Sequence, residues 1–191
     1  MAKNLIQNCN DFQNVTAVTN TAGISNPFGM IKLQSVVASS SSAVTFINLG
    51  QYPNTNFRLV GYNVSQSAAS IVSIRVSTNN GSTYVSSGYN SGLNFTVYNS
   101  SAPTNSTLTT GFIIDPGFTI LTPRFYIFDM FGFNASLGSV NLTGAGNAFS
   151  NASSPLITQM YGAVAQSNCN AFEVLPTSGT ISGTFTLYGL A

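Results

Sequence analysis

An all-β, antiparallel sandwich is what this 191-residue chain predicts, on three features. Apolar and polar residues alternate with a period of two from about residue 31 to the end. β-Branched and aromatic residues fill the alternating runs, and clusters of Gly, Pro, Asn and Ser separate them. Short runs of this kind with turn chemistry between them signify a sandwich or barrel whose strands bury one face.

Residues 1–28 alternate weakly and carry few large apolar side chains, which predicts an extended N-terminal arm, with residues 29–191 forming the sandwich. Leu5, Ile6, Phe12 and Val15 are the arm residues suited to docking on a neighbour, with Asn14–Val18 pairing along an exposed strand edge. Ile31–Val37, Val44–Leu49 and Phe57–Val64 read as the first strands, the serines Ser39–Ser42 making a turn between the first two. In Ser70–Ser77, Val72, Ile74 and Val76 share one face and Ser73, Arg75 and Ser77 the other, which predicts a core side and a wet side.

Asn79-Asn80-Gly81 has the residues of a tight turn, and so has Asp115-Pro116-Gly117. Leu93–Tyr98, Gly111–Ile114 and Phe118–Leu121 read as further strands. Phe125–Phe131 is apolar on both faces, with Phe125, Ile127 and Phe131 on one and Tyr126, Phe128 and Met130 on the other. At a sheet edge it would be an aggregation hazard if left bare, so Phe125, Tyr126, Ile127, Phe128 and Phe131 are the expected subunit interface. Ser139–Thr143, Met160–Ala165 and Phe172–Leu175 follow, and Ser154-Pro155 has the residues to begin a single helical turn. In the last segment Ile181, Phe185 and Leu187 oppose Thr184, Thr186 and Tyr188.

Five basic and four acidic residues are all the charge the chain has, and it contains no His and no Trp. Soluble proteins usually carry about a quarter charged residues. A surface this neutral, rich in Ser, Thr, Asn and Gly, resists association poorly and predicts coverage by neighbours in an assembly. Lys3, Lys32, Arg58, Arg75 and Arg124 are scattered, which argues against nucleic acid as a partner. No apolar run approaches the roughly 18 residues of a membrane span, so no membrane insertion is expected. The opening MAKNLIQNCNDF lacks the apolar stretch of a secretion signal, so synthesis in the cytoplasm is expected. Under that expectation Cys9 and Cys169 are buried thiols and the nine N-x-S/T triplets, Asn63, Asn80 and Asn134 among them, are products of composition.

Asp11, Asp115, Asp129 and Glu173 are the only side-chain carboxylates. Asp115 sits in a Pro-Gly turn and Asp11 in the arm, leaving Asp129 and Glu173 as the one pair that acid–base hydrolysis could draw on. Asp129 shares its face with Phe125, Ile127 and Phe131, which suits a hydrogen-bonded or interface Asp better than a catalytic one. Nucleophilic triads need a His base, and zinc sites lose their commonest ligand. Four carboxylates make a tight calcium site unexpected, and no P-loop or dinucleotide fingerprint occurs. The expectation is a protein that is not an enzyme and holds no metal or cofactor. Tyr84, Tyr89 and Tyr98, with Phe95, form an aromatic stretch whose rings suit either strand-edge packing or stacking on a surface glycan.

Ser77–Tyr84 resembles the Asp-box hairpin S-x-D-x-G-x-T-[W/F] of sialidase propellers, with Asn79 for Asp and Tyr84 for the terminal ring. In that family the box is a structural turn, and its single occurrence here argues against a propeller. A wider resemblance runs from about Phe57 to the end. IRVSTNNGSTY, MYGAVAQSNCNAFEVLPTSG and the terminal SGTFTLYGL are similar to stretches in β-rich virion proteins of tailed bacteriophages, the head decoration and tail-fibre-like proteins. The resemblance implies a jelly-roll-like sandwich, a homotrimer, and a place on the outer surface of a virion. Its partners would be the major capsid protein or another virion protein, or a host surface glycan for a short receptor-binding fibre. The chain shows no shaft repeats and has an arm, which favours capsid decoration.

Overall fold

The computed structural model describes residues 29–52, 56–97, 104–117, 123–136, 138–151 and 154–190. The arm, with Leu5, Ile6, Phe12 and Val15, lies outside them, as do Tyr98 and the run Phe118–Leu121. Among the described residues twelve strands follow one another: β1 (Met30–Ser41), β2 (Val44–Phe46), β3 (Phe57–Gln66), β4 (Val72–Ser77), β5 (Tyr89–Val97), β6 (Thr104–Leu108), β7 (Phe112–Asp115), β8 (Arg124–Phe131), β9 (Val140–Asn151), β10 (Ser154–Val164), β11 (Ala171–Pro176) and β12 (Ile181–Leu190). They form an eight-stranded sheet ordered β1-β12-β3-β8-β9-β10-β5-β6 and a four-stranded sheet ordered β2-β11-β4-β7.

The pairs β1–β12, β2–β11, β3–β8 and β4–β7 are antiparallel and nested, each enclosed in sequence by the one before. Nested pairing of this kind, folded into two packed sheets, is a jelly roll. The remaining strands are two inserted hairpins, β5–β6 between β4 and β7 and β9–β10 between β8 and β11. Pairing of β10 with β5 joins them, and pairing of β9 with β8 continues the larger sheet.

Alternation selects the core. Phe57 and Leu59 of β3, Tyr126, Phe128 and Met130 of β8, and Phe185 and Leu187 of β12 meet Phe46, Val72, Ile74, Val76, Phe172 and Val174 of the small sheet. Phe46 stacks on Phe172 at 4.8 Å between ring centroids, and Phe133, from the β8–β9 loop, packs edge-on against Phe57 and Phe172. Tyr89 meets Phe112 edge-on at 4.9 Å and pins the inserted hairpins onto the small sheet. Small residues make room for these rings: a Cβ on Gly144 would stand 2.5 Å from the Ile127 carbonyl oxygen, and one on Gly162 2.8 Å from the Phe112 ring.

Several expectations need correction. The β4 face carrying Ser73, Arg75 and Ser77 is not wet, since Ser73 and Ser77 are buried. The Ser77 hydroxyl accepts the Asn79 and Gly81 N–H groups and donates to Asn79 Oδ1, so a small polar side chain is consumed by its own turn. Ser39–Ser41 stay within β1, where a bulge between Ala38 and Ser41 and a φ of 49° at Ser40 bend the strand instead of ending it. The second strand stops at Phe46, because Asn48 turns left-handed and Leu49–Gln51 form a 3-10 turn. Ser154-Pro155 starts β10, not a helical turn. Thr104–Leu108, which has no apolar period, is a strand only because it pairs on the exposed side of β5.

At one end of the sandwich Arg124 and Tyr126 both donate to Asp115 Oδ2, and Gly117 N–H donates to Oδ1 at 2.7 Å. The turn role of Asp115 is therefore joined to a buried ion pair. Such a pair adds little net stability, but removing one partner leaves an uncompensated charge.

Candidate interaction face

The strand singled out from sequence, β8, lies inside the large sheet between β3 and β9 and not at an edge. Its backbone is paired on both sides along most of its length, so its side-chain face is what can meet a partner. Tyr126 and Phe128 are each 1% exposed and belong to the core, which removes them from any contact surface. Phe125 at 38% and Phe131 at 37% point outward with the half-buried Ile127 between them.

Register extends that outward set across the sheet. Val60 of β3, Ile127 of β8, Ala145 of β9 and Gln159 of β10 form one row, continued by Asn94 of β5. The neighbouring row holds Lys32, Tyr188, Arg58, Asp129, Thr143, Tyr161 and Gly92. On the other side Val37 and Thr184 precede Tyr62, and Asn147 pairs with Phe125 and Ile157. Ile157, Tyr62 and Tyr161, exposed by 67%, 66% and 49%, make this face more apolar than β8 alone would. Sequence reasoning passed over them. The signal was there in PLITQMYGAV, where Ile157 and Tyr161 alternate with Leu156 and Met160, so both faces of that strand are apolar.

One ion pair sits in the face. Arg58 Nε donates to Asp129 Oδ1 and Nη2 to Oδ2, each at 2.7 Å, a bidentate fork. That bond raises the Arg58 pKa above its ordinary value against a smaller opposing effect of burial. Beside the pair, Ile127, Thr143, Gly144 and Ala145 line a shallow hollow. Asp129 is thus hydrogen-bonded within an ion pair of its own sheet. Glu173, the other half of the conceivable acid–base pair, is on β11 of the opposite sheet. Its Oε1 accepts Arg75 Nε at 2.9 Å and Nη2 at 2.7 Å. Burial pushes the Glu173 carboxyl up, against the pull of Arg75. The two carboxylates serve separate ion pairs on separate sheets and share no site.

Of the proposed stacking rings, Tyr98 lies outside the described residues, and Tyr84 and Tyr89 form no platform together. Tyr89 is buried, its hydroxyl accepting Val76 N–H at 2.9 Å and donating to the Val85 carbonyl at 3.1 Å. Tyr84 is half-buried, with a hydroxyl pKa raised by burial and by nearby Glu173. Its segment forms the turn the Asp-box likeness implies: Asn79 Oδ1 accepts Thr83 N–H at 2.9 Å while Asn79 Nδ2 donates to Thr83 Oγ1. Asn80 locks this turn to the β2–β3 and β10–β11 loops, donating from Nδ2 to Asn48 Oδ1 and from its N–H to Asn170 Oδ1, both at 2.7 Å. In the hollow there, the amides of Asn48, Asn80 and Asn170 are tied to one another or to the Thr78 carbonyl.

Cys169 is a buried free thiol with its pKa pushed up to about 11, while Cys9 lies outside the described residues. Among the described residues no group of three or more Cys, Asp or Glu could hold a metal ion, and no helix is long and apolar enough to cross a membrane. The arrangement on the large sheet offers apolar burial and neutral hydrogen bonding. Compared with protein families, with curated protein sequences and with solved structures, the chain finds no match in any of the three.

Proposed function

We propose that this chain is a non-enzymatic structural protein of a tailed-bacteriophage virion, a capsid decoration or cement protein on the outer surface of the shell. It is made in the host cytoplasm and works as a homotrimer whose arm and sandwich edges grip the major capsid protein or another virion protein. The observation that carries the reading is a sheet face on which exposed Tyr62, Phe125, Ile157 and Tyr161 stand among neutral hydrogen-bonding groups, on a molecule with nine charged residues, a combination suited to assembly. The terminal SGTFTLYGL and its companion stretches supply the phage context, and the nested jelly-roll pairing agrees with what that resemblance implies.

Copy number in purified particles tests it. Hundreds of copies per virion are expected for capsid decoration, whereas a few trimers would move the protein to a tail site and to the receptor-binding reading. A chain lacking residues 1–28 is expected to keep the sandwich's circular dichroism and to lose binding to particles that lack the protein. Undiminished decoration by the truncated chain would remove the arm from the mechanism.

A further inference from the structure

We infer that the chain reverses at Asn26-Pro27-Phe28-Gly29 and that residues 15–25 lie antiparallel along the outer edge of β1, covering it with a further strand from the same molecule. The residues ahead of that strand keep the docking role proposed above, and the pairing itself needs no virion.

β1 ends the large sheet on one side: it pairs with β12, and no described strand lies beyond it. The other end strands are short, with five residues in β6, three in β2 and four in β7, whereas β1 has twelve. A short edge protects itself, and a long one invites pairing with another chain unless something covers it. Two bulges interrupt β1, between Lys32 and Gln34 and between Ala38 and Ser41, but residues 34–38 keep a regular ladder. Lys32 is the only charge on the strand, it has no Pro, and Ile31 and Val37 are exposed.

The turn is written at the start of that strand. Gly29 has a φ of 64°, and a Cβ there would meet nothing within 4 Å. Space therefore does not require glycine at this position, and the left-handed backbone does. In Asn26-Pro27-Phe28-Gly29 the residues stand where a type I turn takes them, Asn first, Pro second and Gly fourth. A type I turn followed by a left-handed residue is the common three-residue hairpin connection. It returns the preceding chain antiparallel to β1. Because β12 already holds one side of β1, the outer edge is the side left for it.

The segment suits the place. Six of the eleven residues in 15–25 are β-branched, and none is charged or Pro. An added edge strand is held by main-chain pairing, so weak alternation is no obstacle. Eleven extended residues run about 36 Å, against about 40 Å for the twelve of β1. A three-residue connection also keeps the segment at an effective concentration on the order of millimolar, far above that of a second copy in micromolar solution. Residues 1–14, with Leu5, Ile6 and Phe12, then leave the sandwich near the Ser41 end of β1 and are free to reach a neighbour.

Amide hydrogen exchange on the full-length protein, read peptide by peptide by mass spectrometry, tests the pairing. In wild type, residues 15–25 are expected to exchange at least about tenfold more slowly than an unstructured chain, at micromolar and at about a hundredfold higher concentration alike. Successive N–H groups of a strand point to opposite sides, so Asn20→Pro and Thr21→Pro made together remove one that pairs with β1. That double variant, and separately Gly29→Val, are expected to bring residues 15–25 to unstructured rates and to speed exchange in residues 34–38. Protection of β3 and β12 is expected to stay as in wild type.

Unstructured rates for residues 15–25 in wild type overturn the inference, and so does undiminished protection in either variant. Protection that disappears on dilution gives the edge to the arm of a second copy and overturns it as well. Isolated protein suffices for these measurements, so their failure is distinct from a failure of copy number or of decoration on particles.

Discussion

Asparagine is the residue through which this chain builds its corners. Among the described residues six non-glycine positions have positive φ, and five are Asn48, Asn63, Asn80, Asn134 and Asn168. A short amide tolerates the left-handed conformation and can satisfy local backbone groups, so one residue type supplies both turn geometry and loop cross-links. Three of these positions, Asn63, Asn80 and Asn134, begin N-x-S/T triplets, and the turn accounts for the residue without any sugar. At the same scale lies a pH effect. Burial raises Cys169 from 9.0 to about 11 and Tyr89 from 10.0 to about 12. Both are acids bound more tightly to their proton in the fold than in the unfolded chain. Their stabilising contribution is whole below pH 9 and is lost as pH rises through 11 to 12. Urea unfolding from pH 7 to 12 is expected to show a loss of about 2–3 kcal/mol for each group at the upper end. Thiol reagents are expected to reach Cys169 only on unfolding.

Between residues and the whole stand the two inserted hairpins, whose packing depends on missing side chains. Gly144 and Gly146 of β9 lie beside Phe128 and Tyr126 of β8, and a Cβ at Gly146 would approach the Tyr126 ring to 2.7 Å. At Gly144 the obstacle is the Ile127 carbonyl, a backbone atom held in the ladder and unable to yield. Gly144→Ala is therefore expected to cost about 3 kcal/mol, read from chemical denaturation. A cost below about 0.5 kcal/mol would mean that β9 sits farther from β8 than described. These glycines could not be assigned from sequence: in VNLTGAGNAF they weaken a strand pattern, and the reading accordingly ended that strand at Thr143. The rings they accommodate lie on another strand.

For the molecule as a whole, each sheet turns outward one Arg–carboxylate pair, Arg58–Asp129 on the large sheet and Arg75–Glu173 on the small one. With the carboxylates so committed and set on different sheets, the proposal of a non-enzyme carries a direct expectation. Purified protein incubated with host-envelope polysaccharide is expected to release no sugar, and Asp129→Asn and Glu173→Gln are expected to alter stability or assembly alone. Release abolished by either substitution would contradict the structural role. Far-ultraviolet circular dichroism is expected to show strand without the helical double minimum, as the twelve strands require.

Period-two alternation determined, by itself, that the chain is an antiparallel sandwich and which way most strands face, because burial on one side imposes that period locally. The faces of β8 and β12 were legible for this reason, and so was the turn at Asn79–Gly81. Partner choice was not. That β8 is an interior strand, that Tyr89 points into the core, that Ser73 and Ser77 are buried and that TNSTL is a strand all follow from pairing between segments far apart in sequence. The candidate face belongs to the same category. Its residues lie at unremarkable alternate positions on β3, β8, β9 and β10, and only the ladder that sets those strands side by side makes them one surface.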